Sequence, residues 1–396
     1  MTSRVSRFPL YLILLLAAII LLTSFAEAQV FTVLFTFSDV SQGVQPVGPL
    51  ALDSTGNLYG MAIHGGGPGD FGTVYKLDPQ GNLTVLHTFT GTPDGWRPDW
   101  GPVIDESGAH IYGTTPFGGR TNRSCGGQCG IIFKVTQTGK ETVIYRFGRD
   151  NAMFGSFPQF GIIRDAAGGL SGTATFGGPS DQGTVFRLAK GIFTVLHTFP
   201  TGQGDGEYPQ GPLLRDAAGN LFGTTGFGGA LGHGTVYKID PAGNETILYN
   251  FTGGSDGDQP WSSLVQDSAG SLYGATFSSQ FPGHPGIIYK LDTNGKETVL
   301  YSFTGGADGD RSDGLIRDAT GNLYGTTGFL GTGGTLFKLD LSGVKTVLHT
   351  FTGGADGAGP GPLVQDAAGN IYGAATGGGN LTCNPSGCGV IFKLKP

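Results

Sequence analysis

The sequence predicts an all-β protein, a seven-bladed β-propeller of four-stranded blades, on three observations. A GNLYGTT-type segment places a glycine after an aromatic position at Gly60, Gly113, Gly172, Gly223, Gly274, Gly325 and Gly373, at spacings of 48 to 59 residues. Each unit holds four short runs rich in β-branched and aromatic residues, bounded by turn residues, which is the content of one propeller blade. After residue 28 the chain opens with a lone strand of the fourth type, Phe31 to Phe37, and it finishes with strands of the first three types, ending near Leu394.

Within a unit, strand a is the GPLVQD type, as at Gly361 to Asp366, and strand b the NLYGTT type, as at Asn322 to Thr327. Asp-x-x-Gly stands between them in all seven copies, at Asp53, Asp105, Asp165, Asp216, Asp267, Asp318 and Asp366. An Asp that accepts backbone N–H groups, followed by Gly at positive φ, is hairpin chemistry. Strand c begins at Gly72, Gly130, Gly183, Gly234, Gly286, Gly334 and Gly389, and strand d, TVLHTF and its variants, follows a second Asp-x-x-Gly at Asp78, Asp240, Asp292 and Asp340. These eleven carboxylates are read as structural, and the Lys or Arg inside strand c (Lys76, Lys134, Arg187, Lys238, Lys290, Lys338, Lys393) as reaching to solvent. Pairing the first strand with the last blade would close the ring and remove exposed sheet edges. A parallel β-helix is the alternative, but it would not need one unit split between the two ends.

The expected organisation is a signal peptide over 1–28 and a single propeller domain over 29–396. Arg4 and Arg7, an apolar run from Leu10 to Leu22 and Ala26-Glu27-Ala28 carry the first assignment. An uncleaved anchor is its alternative, with the apolar run near the short limit for spanning. The protein is therefore expected to be secreted, periplasmic or at the cell surface, monomeric, and without a membrane span after cleavage. The 74 glycines and 22 prolines recur in register and read as turns rather than disorder. The net charge of −7, with no basic stripe, excludes nucleic acid as a partner. The cysteines form two local pairs, Cys125 with Cys129 and Cys383 with Cys388, read as small loop-tightening disulfides, with a shared zinc site as the alternative.

The units FTGGxDG, GNLYGTT and GTVYKLD resemble the GloVer tandem repeats of exported bacterial proteins with a choice of anchors, over nearly the whole mature chain. The resemblance implies an exported repeat protein and brings no catalytic residue to any position. Because the chain stops at its last strand, a surface anchor is not expected.

Function is expected on the face where the long d-to-a and b-to-c connections emerge. All three tryptophans, Trp96, Trp100 and Trp261, lie in d-to-a segments, and with Tyr208 and Glu207 they are the candidate contacts for a carbohydrate or protein ligand. Phe117, Phe176, Phe227 and Phe329 recur in the b-to-c loops and read either as fillers between blades or as further contacts. The d-to-a loops repeat an Asp-Gly step at Asp94, Asp205, Asp256, Asp308 and Asp356, a turn signal. Asp256, Asp258, Asp308 and Asp310 are alternatively calcium ligands, with Asp313 nearby, although the spacing is not that of an EF-hand and no motif requires a cofactor. His87, His197 and His349 stand in strand d where other copies have Tyr145, Tyr249 and Tyr301, so they read as packing residues. His64, His233 and His284 lie in b-to-c loops as candidate ligands or bases. A non-catalytic recognition module is the leading reading. A lyase or hydrolase on the same face, with Glu207, Asp99 or a loop histidine as base, is the alternative, since no nucleophile elbow, zinc signature or phosphate loop is present.

Overall fold

A computed structural model describes residues 29–119, 125, 129–148, 153–202, 204–277, 286–328, 333–383 and 385–396. The segment expected to be a signal peptide lies outside them. The strands form seven antiparallel sheets, six of them with their strands in chain order. Blade 1 runs through Val44–Leu52, Leu58–His64, Thr73–Leu77 and Leu83–Thr88, and blade 3 through Ile162–Arg164, Leu170–Ala174, Thr184–Ala189 and Ile192–Thr198. Blade 7 takes its strand d from the other end of the chain: Val30–Thr36 pairs antiparallel with Val390–Lys395, and Phe31 stands opposite Leu394. Strand a of blade 1 also packs on strand b of blade 7, which closes the seven-bladed propeller. Among the described residues no helix is long and apolar enough to cross a membrane.

The repeated glycine of strand b has a packing cause. Gly60, Gly113, Gly172, Gly223, Gly274, Gly325 and Gly373 stand directly opposite Tyr75, Phe133, Phe186, Tyr237, Tyr289, Phe337 and Phe392 of strand c. Those rings are fully buried and lie across the glycines, so that a Cβ on Gly60 would come within 2.2 Å of the Tyr75 hydroxyl oxygen. Glycine in the strand is thus repaid by a ring that covers its backbone. Each ring also helps fill the core between neighbouring blades, as Tyr237 does between blades 3 and 4.

The turns follow the expected chemistry. Asp318 accepts from the backbone N–H groups of Thr320 and Asn322, while Gly321 takes a φ of +97°. Burial alone would raise the Asp53 carboxyl, but hydrogen bonds from Asn57, Thr55 and Tyr59 outweigh it and hold it at about 2. Four of the seven strand c cations stay partly exposed and also meet a group of their own blade. Lys76, Lys290 and Lys393 lie 5.3–5.9 Å from the rings of Tyr59, Tyr273 and Tyr372. Arg187 bonds the turn residue Asp165. Both cysteine pairs are disulfide-bonded, Cys125 to Cys129 and Cys383 to Cys388. These bonds are consistent with an oxidising compartment outside the cytoplasm.

Candidate site at the propeller axis

The site begins with a backbone latch repeated around the ring. In the d-to-a segments Gln45, Arg97, Phe157, Tyr208, Gln259 and Gly359 all adopt φ between 53° and 65°. Five of these are not glycine, and left-handed backbone is unfavourable for such residues unless their surroundings impose it. Each N–H donates to the carbonyl of the residue before the glycine that opens strand c in the preceding blade: Cys388, Phe71, Cys129, Gln182, His233 and Gly333, at 2.8–3.1 Å. The next residue is proline in these six, and its ring packs on that same glycine. In the sixth segment the Gly286 N–H bonds the Asp310 carbonyl, and Arg311 takes the proline position.

The residue two positions after each latch residue is thereby placed at the axis, and Ser312 of the sixth segment takes the same place. These residues are Val47, Asp99, Gln159, Gln210, Trp261, Ser312 and Gly361, and all seven line one cavity of about 480 Å³. Trp100, Phe160 and Asp313, one position further on, extend its wall. The framework is symmetric and its side chains are not.

Arg97 lies 3.6 Å from Asp99, and Arg311 lies 3.5 Å from Asp313. Burial pushes the Asp99 carboxyl up to about 6, against the opposing pull of Arg97. Asp313 moves in the same direction for the same reason, although the cavity leaves 36 % of its side chain accessible to water. The Arg311 guanidinium stacks over Phe277 at 4.1 Å, and Phe277 in turn contacts Trp261 at 4.6 Å. Among the described residues the buried Trp261 Nε1 and Gln210 Oε1 have no hydrogen-bond partner. Gly226 packs against both, since a Cβ there would come within 2.3 Å of each, and only glycine fits.

Beside the cavity runs an arc of rings. Phe71, Trp96, Phe117, Phe157, Phe176, Tyr208 and Phe227 follow one another at centroid distances of 4.4–6.1 Å, from blade 1 to blade 4. Phe176 and Phe227 are each 37 % exposed, so they do not act as buried fillers. The candidate contacts therefore separate into two groups: Trp100 and Trp261 line the cavity, while Trp96 and Tyr208 belong to the arc. Glu207 pairs with Phe227 at the arc's end and is not part of the cavity wall.

The candidate calcium ligands are held by protein groups. Asp256 accepts from Thr252 and Tyr249, Asp308 from Thr304, Tyr301 and Lys345, and Asp258 lies 3.2 Å from His233. They are not drawn into a common cluster among the described residues. His64 pairs with Asp70, whereas His284 and Phe329 lie outside the described residues. Sequence reasoning missed Gln159, Gln210, Arg311 and Ser312. The signal that finds them is the offset from the d-to-a proline, visible once the latch is recognised.

The extracellular domain of a proposed one-component system from B. thetaiotaomicron is similar, with a TM-score of 0.55, 10 % identity, and coverage of 91 % of this chain and 39 % of that one. A proposed 6-phosphogluconolactonase from Bacteroides uniformis is similar at a TM-score of 0.52 and 15 % identity, over 80 % and 89 % of the two chains. A gluconolactonase from Xanthomonas campestris is similar at 0.42 and 13 %, over 92 % and 88 %. At these identities the likeness is one of fold. No curated protein matches the sequence. The Gloeobacter/Verrucomicrobia repeat matches residues 21–216 and 208–396, and the chain belongs to that family.

Proposed function

We propose that the protein is a recognition module that binds carbohydrate in the axial cavity, with the aromatic arc as an extended platform. The observation that carries this reading is the mixed wall of the cavity, where the rings of Trp100, Phe160 and Trp261 stand beside the polar side chains of Asp99, Gln159 and Gln210. A sugar presents an apolar ring face that lies on an indole and hydroxyls that donate to and accept from polar side chains beside it. Titration calorimetry against neutral and acidic oligosaccharides tests the reading. Trp261→Phe and Gln210→Ala are expected to weaken binding at least about tenfold without loss of fold, the cost of a lost hydrogen bond to a buried partner. A native protein that binds no oligosaccharide would overturn it.

A hydrolytic role is favoured by a different observation: the buried Asp99 carboxyl, at about 6, has the affinity for protons of a general base or acid near neutral pH. The Bacteroides uniformis propeller of similar fold is a proposed 6-phosphogluconolactonase, which makes sugar lactones the first substrates to assay. Turnover abolished by Asp99→Asn, with a rate rising through pH 6, would establish this reading.

A further inference from the structure

We propose that His197, Asp205 and Glu245 form a binding site for one divalent transition-metal ion at the junction of blades 3 and 4. His197 is in strand d of blade 3, Asp205 in the loop that follows, and Glu245 opens strand d of blade 4. One atom from each lies within 4.8 Å of the others. His197 Nε2 is 3.1 Å from Asp205 Oδ2 and 3.4 Å from Glu245 Oε2. Tetrahedral ligands about 2.0–2.1 Å from a zinc-like ion stand about 3.3 Å apart, so the two edges from His197 already match such a polyhedron.

One imidazole nitrogen here faces two carboxylate oxygens, Asp205 Oδ2 and Glu245 Oε2, and among the described residues Glu245 Oε1 accepts no hydrogen bond. Asp205 Oδ1 is occupied by the Gly206 N–H at 2.6 Å, which fixes the carboxylate with Oδ2 toward the histidine. A neutral imidazole with two carboxylates carries two negative charges, which a divalent ion neutralises. The three side chains are 12–17 % exposed, enough for an ion to enter.

The junction of blades 1 and 2 carries the same residue types, His87, Asp94 and Glu141, with His87 Nε2 3.4 Å from Asp94 Oδ2, but among the described residues only His197, Asp205 and Glu245 bring their ligand atoms within 4.8 Å of one another. The remaining junctions differ in kind. Between blades 5 and 6 the residue equivalent to Glu245 is Lys345, and its ammonium lies 2.6 Å from Asp308. The molecule thus places a fixed cation of its own at the same position in the fold. Between blades 6 and 7 the pair is His349 with Phe31, and between blades 2 and 3 it is Tyr145 with Phe193, with stacked rings in both. Between blades 4 and 5 Tyr249 replaces the histidine and donates to Asp256, which leaves no nitrogen ligand. Imidazole with carboxylates suits zinc, cobalt or manganese better than calcium, which takes oxygen ligands.

The test uses the untagged chain from residue 29, stripped with EDTA and titrated with cobalt(II) while its visible absorbance is followed. One cobalt per chain is expected, displaced by zinc. His197→Tyr copies the residue of three other junctions and Glu245→Lys copies Lys345; each should fold, judged by its melting curve, and bind cobalt at least about 100-fold more weakly. His87→Tyr, at the junction with the same three residue types, should bind as the native chain does. Absence of cobalt binding, or binding unchanged in both junction variants, would overturn the proposal and leave a shared proton as what holds the two carboxylates together. This test is independent of any ligand in the axial cavity.

Discussion

The imidazole of His349 lies flat on the ring of Phe31, with centroids 3.6 Å apart and planes 2° from parallel. Phe31 also meets Phe351 and Phe392 at 5.6 and 5.5 Å, so one side chain from the chain's beginning joins the aromatic packing of its last two blades. Phe31→Ala should therefore lower stability by about 3 kcal/mol, the low end for a phenylalanine truncation because the ring is only partly buried. Urea denaturation measures the loss. Size-exclusion chromatography should show larger species for a chain lacking residues 29–37, whose last blade would expose an unpaired strand.

Gly223→Ala should cost about 1–3 kcal/mol, because the new methyl group would sit 2.3 Å from the hydroxyl oxygen of the fully buried Tyr237. The double variant Gly223→Ala with Tyr237→Leu should recover part of the loss, measured by the same denaturation.

Burial, with a smaller push from Asp256, raises the Glu297 carboxyl to about 7. Its unfolded value is about 4.3, so the folded state binds this proton more tightly. Stability should accordingly fall as the pH rises from about 5 to 8, where the native chain alone must ionise the group. Glu297→Gln should flatten that part of the profile, in denaturation curves taken at successive pH values.

The turn aspartates act in the opposite direction. Asp53 and Asp105 are held at about 2, so their contribution is complete above pH 4 and lost as the pH falls toward 2. Acid unfolding in that interval should follow, and Asp318→Ala should cost about 1–3 kcal/mol at neutral pH by releasing the turn N–H groups of Thr320 and Asn322.

The fold was legible because its local rules recur: the glycine opposite a strand c ring, the Asp-x-x-Gly turn and the split last blade are each written in neighbouring residues. The site was legible only to the level of a face. Trp100 and Trp261 reach the cavity, but Trp96 turns to Phe117 at 4.4 Å. The difference arises from the left-handed residue before each proline, which decides whether a side chain points along the axis or outward, and Gln45, Arg97, Phe157 and Tyr208 share no side-chain chemistry that would announce it. The histidines of strand d gave a similar difficulty. His197 and His349 look alike in their own repeats, and they differ because the next blade presents Glu245 to one and Phe31 to the other.

The latch holds its backbone through main-chain hydrogen bonds and a proline seated on a glycine, neither of which depends on the side chain that comes next. The wall of the cavity can therefore be read as a word of seven letters, V-D-Q-Q-W-S-G, with each letter supplied by a different stretch of chain. Any letter can be rewritten by a single codon while the other six keep their places, so the ring is an alphabet whose wording can change one blade at a time without rebuilding the page it is written on.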